Sequence, residues 1–227
     1  GDDIIDASNA QLAIRVRAGD GDDQVFGGEG DDRIFGQLGQ DTLDGGAGND
    51  LLAGDTETDL STILSESQWI DVIRGGVGDD VIFGGRGDDI LFGDSGQLLD
   101  NMGQDLLASQ FAQLVKIISS DIVTDGKDKI DGGEGADRII AGLGDDEITD
   151  LSGDNLIIGD LGMFDYSAGF LNIQLDGLIG GNDKIFLADG NVIVFGGLGN
   201  DVIELTATSD ANASGQEAYR RIVIGDV

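Results

Sequence analysis

Aspartate returns along this chain in fixed company. Gly27–Phe35 reads GGEGDDRIF, which is G-G-x-G-x-D-x-U-x with U a large apolar residue. The same nine-residue phrase recurs at Gly45–Ala53, Gly75–Phe83, Gly84–Phe92, Gly132–Ile140 and Gly196–Glu204. Looser copies stand at Ala18–Phe26, Gly36–Asp44 and Ala141–Thr149. Carboxylates in such number suit two kinds of chemistry. They can hold a hard cation through oxygen, or a pair such as Asp79/Asp80 can do the acid–base work of a glycosidase. The repeat already explains why acids sit side by side, so the second use has nothing left to explain. There is no His for general-base work near neutral pH, and no G-x-S-x-G elbow. No catalytic residue, organic cofactor or enzymatic activity is expected.

Composition points the same way. The 227 residues carry 45 acidic against 12 basic side chains, a formal charge of −33. Such a chain repels itself when compact, and it lacks the Lys/Arg clusters that nucleic acid and anionic membranes require. Yet 40% of its residues are apolar, too many for a disordered acidic tail. Something must neutralise the acid before the sequence can pack, and metal cations are the natural candidate. Without Cys or His, soft and imidazole-bound metals lose their ligands, which leaves calcium or another hard cation. No disulfide is possible, no apolar run is long enough to span a membrane, and no signal peptide is read. Gly1-Asp2-Asp3-Ile4-Ile5 begins in mid-repeat and Gly225-Asp226-Val227 opens a new one, so a piece of something longer is expected.

Short fixed-period self-similarity marks a solenoid, so the expected fold is all-β, a parallel β-roll. The first six positions of each unit are turn chemistry, rich in Gly, Asp and Asn. The last three are strand chemistry, with U on one face and its neighbours on the other. The inward residues are then Val25, Ile34, Leu43, Leu52, Ile82, Leu91, Ile130, Ile139, Ile148, Ile157, Ile185, Val194 and Ile203. Two units make one coil of about 18 residues. Seventeen half-coils fit the chain, giving about eight coils and a rod ~40 Å long at strand spacing.

One segment, 1–227, is expected, interrupted at about 54–71, 93–127, 159–181 and 205–220. Each interruption regains phase with a strand signal: Val72-Ile73, Lys129-Ile130, Lys184-Ile185 and Ile222-Val223. Within the second, Leu106, Leu107, Phe111, Leu114, Val115 and Ile118 are spaced like one face of a helix. Leu114–Ile130 also resembles Phe170–Ile185, so a short helix before Leu114 and a strand after it are expected, with hairpins in the interruptions.

These nonapeptides resemble those of the RTX (repeats-in-toxin) family of secreted bacterial proteins. The resemblance implies a β-roll with calcium between turns, a secreted or cell-surface location and type I secretion. It makes the sixth-position aspartates the carboxylate ligands: Asp23, Asp32, Asp41, Asp50, Asp80, Asp89, Asp137, Asp146 and Asp201. Asp3, Asp128 and Asp183 close degraded repeats and match the same position, and Asp128 and Asp183 join the expected ligands. Backbone carbonyls would come from the glycines before them: Gly19, Gly21, Gly28, Gly30, Gly46, Gly48, Gly76, Gly78, Gly85, Gly87, Gly133, Gly135, Gly142, Gly144, Gly197 and Gly199. Asn155 and Val192 depart from the pattern. Physics supports the assignment, since a ladder of carboxylates near strand spacing is destabilising without counter-ions. Roughly ten calcium ions are expected.

Consecutive units should alternate sides. Asp23 then stacks with Asp41, Asp32 with Asp50, Asp50 with Asp80 and Asp89 with Asp137. Across the long units Asp80 stacks with Asp128, Asp128 with Asp146, Asp146 with Asp183 and Asp183 with Asp201. The outward positions of the odd-numbered half-coils are apolar from Ile90 onward: Ile90/Phe92, Arg138/Ile140, Leu156/Ile158, Ile193/Phe195 and Ile222/Ile224. The insertions are expected to cover this face with Phe111, Val115, Met163, Phe164, Tyr166 and Phe170. The alternative is a docking face for a protein partner or another copy of the chain. Two functions fit: a calcium-stabilised structural segment of a large secreted or surface protein, or the folding and secretion module of an RTX toxin or hydrolase. An ice-binding solenoid would want regular outward Thr, which the sequence lacks.

Overall fold

The computed structural model describes residues 1–55, 70–119, 126–150, 152–175, 180–188, 190–206 and 221–226. The first and last insertions lie largely outside the described residues. Two parallel sheets, of nine and eight strands, run the length of the chain, and successive half-coils alternate between them. The first sheet holds the strands beginning at Ile4, Gln24, Thr42, Val72, Ile90, Arg138, Leu156, Val192 and Arg221. The second holds those beginning at Arg15, Arg33, Leu51, Val81, Lys129, Glu147, Lys184 and Val202. This is the expected β-roll with seventeen half-coils.

Register follows from the apolar position of the repeat. Val25 pairs with Leu43, Ile34 with Leu52, and Ile82 with both Leu52 and Ile130. Because strand side chains alternate, fixing U inward fixes every other residue's face. The inward residues from Val25 to Val194 form one buried core, with Ile203 partly buried against it. The turns between strands need glycine for two reasons, both visible at Gly48. Its φ is +128°, and a Cβ there would meet the backbone of Gly30 in the coil below at 2.7 Å. Gln37, at φ +90°, is the one non-glycine with positive φ among the described residues, and it occupies a second-glycine position.

Three insertions leave the roll from a Gly-Asp pair: Gly54-Asp55, Gly93-Asp94 and Gly159-Asp160. In a regular unit the third residue donates its N–H to the second-glycine carbonyl of the coil below, as Ala47 does to Gly28 at 2.8 Å. Where the chain departs, the aspartate side chain accepts that bond instead. Arg86 N donates to Asp55 Oδ2 at 3.1 Å, Leu143 N to Asp94 Oδ2 at 2.7 Å, and Leu198 N to Asp160 Oδ2. The side chain thus stands in for backbone that has turned away, and no N–H is orphaned.

The second and third insertions build one four-stranded antiparallel sheet together. Its order is Gly96–Leu99, Lys116–Ser119, Gly162–Asp165, Asn172–Leu175. A 3₁₀ helix, Ala108–Gln113, precedes the second of these strands, as the sequence implied. The sheet lies over the apolar face of the first sheet. Phe92, Ile140 and Ile158 are buried beneath Leu98, Ile117 and Phe164. The cover is therefore internal. Arg74 pins its edge: Nε donates to the Gly96 carbonyl at 2.6 Å, and the guanidinium lies 5.8 Å from the Phe92 ring centroid. Ala108 N donates to Thr42 Oγ1 at 3.2 Å, carrying the contact back to an earlier coil.

Three expected members of the cover need correction. Phe170 is 66% exposed, at the bend between the last two cover strands. Met163 alternates with buried Phe164 and is only half-buried. Val115 likewise alternates with Leu114, which packs on the cluster, and is itself half-buried outside it; Tyr166 is partly buried against the cluster, and the Phe111 side chain lies outside the described residues. The cover also ends early, for Phe195 is half-buried and Ile222 and Ile224 are exposed. Truncating Phe164 to Ala should cost about 3–5 kcal/mol by chemical denaturation in calcium. Phe170→Ala should stay within about 0.5 kcal/mol. Equal effects of the two would contradict this account of the cover.

Candidate calcium-binding rows

Each sixth-position aspartate is placed by the turn before its strand and tied to the coil above by its own backbone. Asp23 N donates to Asp41 Oδ1 at 2.9 Å, Asp41 N to Asp71 Oδ1 at 2.8 Å, Asp71 N to Asp89 Oδ1 at 2.9 Å, and Asp89 N to Asp137 Oδ1 at 2.8 Å. That row begins at Asp3, which donates to Asp23, and passes from Asp137 to Asn155. Along the other edge Asp32 N donates to Asp50 Oδ1 at 2.7 Å, Asp50 N to Asp80 at 2.7 Å, and Asp80 N to Asp128 at 2.9 Å. Asp128, Asp146, Asp183 and Asp201 continue it at 2.9, 2.9 and 3.0 Å. All eight stacked pairs read from the sequence are present.

The sequence reading missed Asp71. It sits inside what read as the first insertion, yet it joins Asp41 to Asp89. The signal was available: Asp71 immediately precedes the Val72-Ile73 strand that restores the phase.

Every bond along these rows uses Oδ1. The second oxygen, Oδ2, of Asp23, Asp41, Asp50, Asp71, Asp80, Asp89, Asp128, Asp137, Asp146 and Asp183 is buried without a hydrogen-bond partner. Asp32 differs, its Oδ2 accepting from Gly28 N at 2.9 Å. Buried polar atoms are nearly always paired, and a buried charge without a partner is costly. The first glycine of each unit shows where these oxygens point. A Cβ built on Gly45 would fall on Asp50 Oδ2 and the Gly75 carbonyl oxygen. One on Gly75 would fall on Asp80 Oδ2 and the Gly93 carbonyl, and one on Gly84 on the Gly132 carbonyl and Asp89 Oδ2. A carboxylate oxygen and a carbonyl oxygen thus converge on a space that only glycine leaves open.

The glycines expected as donors are the second and fourth of each unit. Of these, Gly46, Gly48, Gly76, Gly78, Gly85, Gly87, Gly133, Gly135, Gly142, Gly144, Gly197, Gly199, Gly19 and Gly21 have positive φ, and Gly28 and Gly30 do not. They stack coil on coil, the Gly28 carbonyl facing Gly46 and the Gly48 carbonyl facing Gly78. The carbonyl that shares space with Oδ2 comes instead from first-position residues such as Gly75, Gly93 and Gly132. Among the described residues no three carboxylates gather into one metal cluster. Oxygen donors of mixed kind, one carboxylate with carbonyls, fit the six to eight hard oxygens calcium takes in flexible geometry.

Burial governs the acidity of the rows. Desolvation pushes Asp50 and Asp137 up to about 6, Asp41 and Asp128 to about 7, Asp80 and Asp183 to about 8, and Asp146 and Asp150 to about 9. Asp71 and Asp89 rise well above the ordinary carboxylate range for the same reason. The folded, metal-free chain therefore binds more protons than the unfolded one. Its stability is fullest below about pH 4, the unfolded value, and is lost as pH rises through about 6–9. Calcium-free protein should gain β-sheet circular dichroism on acidification from pH 8 to pH 5. Calcium affinity should fall over the same interval, because protons compete for the ligands. A calcium-free fold that strengthens as pH rises would contradict this.

The fold and the rows together define a calcium-binding parallel β-roll. A family model for the RTX calcium-binding nonapeptide repeat matches in four copies, at residues 16–59, 70–97, 122–148 and 179–210, more than half of the chain. The chain belongs to the RTX calcium-binding nonapeptide repeat family. The unmatched stretches between the second and fourth copies include all four strands of the cover sheet except the start of the first. No curated protein matches the chain.

Proposed function

We propose that this chain is a structural β-roll segment of a large secreted or cell-surface bacterial protein, of adhesin or matrix type, which folds on calcium outside the cell. The observation that carries this reading is the two rows of buried, unpartnered aspartate oxygens facing first-position carbonyls. Roughly ten calcium ions sit along the rows, with Asp23, Asp41, Asp50, Asp71, Asp80, Asp89, Asp128, Asp137, Asp146 and Asp183 supplying Oδ2. Asp32 and Asp201 stand at the two ends of the row that runs through Asp50, Asp80, Asp128, Asp146 and Asp183, Asp32 with its Oδ2 already bonded to Gly28 N. The ions contribute charge neutralisation and cross-linking between coils. They carry out no chemistry, and the reading assigns the segment no catalytic role. Its own antiparallel sheet covers the apolar face, which supports a self-contained spacer over a docking module.

A calcium titration followed by circular dichroism tests this. The midpoint should fall at about 10⁻⁴–10⁻³ M, the range of extracellular modules, so that the chain stays loose at cytosolic calcium and folds outside. Complete folding at submicromolar calcium would remove the argument for an extracellular trigger.

A further inference from the structure

One unit breaks the pattern twice. Asp150–Ile158 reads DLSGDNLII, with Asp150 where the complete copies have their first glycine and Asn155 where they have aspartate. The row along this edge therefore loses a carboxylate at Asn155, which accepts from Asp137 N at 2.8 Å but brings no charge. The change at Asp150 lies in the same turn, ahead of Asn155, on the same edge. In regular units the space beside a first glycine is closed from above by the carbonyl of the next first glycine. At Gly132 a Cβ would instead meet the side chains of two acids, Asp150 Oδ2 and Asp137 Oδ2. Both aspartates are 0% exposed; no N–H or hydroxyl of the chain reaches either Oδ2, and the two carboxyls lie within hydrogen-bond reach of each other. Their other oxygens are occupied: Asp137 Oδ1 accepts from Asp89 N at 2.8 Å and Asp150 Oδ1 from Ser152 N at 3.2 Å.

We propose that Asp137 and Asp150 form a two-carboxylate calcium site beside Gly132, tighter than the single-carboxylate sites of the rows. This rests on the reading of the rows as calcium sites. Two buried carboxylates aimed at one point are destabilising alone, and a divalent cation between them is neutralised in full. Calcium affinity rises with the number of charged ligands, and that number increases here. Asp150 also returns to this edge the charge that Asn155 removes. The loaded site joins the strand Arg138–Ile140 to the strand Glu147–Asp150, and so links the two parallel sheets near the middle of the chain.

The test is calcium binding to the full chain, with calcium chloride as the probe, measured by equilibrium dialysis and native mass spectrometry. Asp150→Asn keeps the side-chain volume and the Oδ1 acceptor for Ser152. A purely structural Asp150 would therefore leave the isotherm unchanged. The proposal expects loss of the tightest-bound ion, or about tenfold or greater weakening of that class. Asp150→Gly restores the motif residue and its carbonyl. It should fold, and should bind at the affinity of the ordinary sites. Wild-type affinity of the tight class in Asp150→Asn overturns the proposal, as it does in Asp150→Gly should the Asn variant not fold. It would mean the two acids share a proton. Asp50→Asn separates the two levels of argument. If it loses an ion while Asp150→Asn does not, only the Asp137–Asp150 site falls. If neither loses one, the reading of the rows falls with it.

Discussion

Held at pH 8 with calcium chelated, the chain loses its parallel β-structure entirely, and millimolar calcium restores it. Ten row aspartates carry a buried oxygen with no partner. At pH 8 Asp41, Asp50 and Asp128, lifted only to about 6–7, are ionised in the fold. An uncompensated buried charge costs about 3–5 kcal/mol, and a domain's whole stability is only about 5–15 kcal/mol. Two or three such charges exhaust it, and the formal charge of −33 opposes compaction further. With calcium, binding free energy becomes folding free energy. Circular dichroism and small-angle scattering, with chelator and with 10⁻³ M calcium, read the outcome. A compact β-rich chain in chelator at pH 8 would mean the aspartates are stabilised by something other than metal.

Gly75→Ala gives the second large effect. The methyl group would sit on Asp80 Oδ2 and the Gly93 carbonyl, in the middle of the row. Gly75 is not among the positive-φ residues, so the penalty comes from occupying the ion's place and not from backbone strain. The expected result is one calcium fewer and a stability loss of about 2.7 kcal/mol at calcium a hundredfold above its dissociation constant, with about 1–3 kcal/mol more from overpacking. Gly225→Ala is the control, since a Cβ there meets nothing within 4 Å. Calcium-dependent denaturation curves with parallel ion counts measure both. A Gly75→Ala protein that keeps its full ion count while losing stability would show the first-glycine space to be packing alone.

Much of this was legible because a nine-residue period leaves little freedom. Once Ile34 and Leu52 are inward, the sheet assignment, the parallel register and the stacking of Asp32 on Asp50 follow by counting. Counting stops at the insertions. Asp71 was hidden because the phase was judged lost until Val72, although the aspartate before that strand was already back in place. Asp55, Asp94 and Asp160 read as ordinary turn residues. Their role as substitutes for a departing carbonyl depends on which coil lies above, which local sequence does not state. The cover sheet pairs Lys116–Ser119 with Gly162–Asp165 across more than forty intervening positions. Its apolar alternation could be seen but its partner could not. Phe170 was misplaced for the same reason, since hydrophobicity gave it a layer but not the bend that holds it away. The resemblance pointed to the second and fourth glycines, and the first-glycine carbonyls come into view only when the coils are stacked. Glycine at the first position answers to space.

The central claim is that the buried Oδ2 atoms of the two rows are calcium ligands. Counting calcium on the folded 227-residue chain, by native mass spectrometry with equilibrium dialysis at 10⁻³ M calcium, tests it most directly. The account predicts roughly ten ions, lost one at a time as Asp50, Asp80 and Asp146 are each changed to Asn. A folded chain binding one or two ions, or a count unmoved by those substitutions, would contradict it.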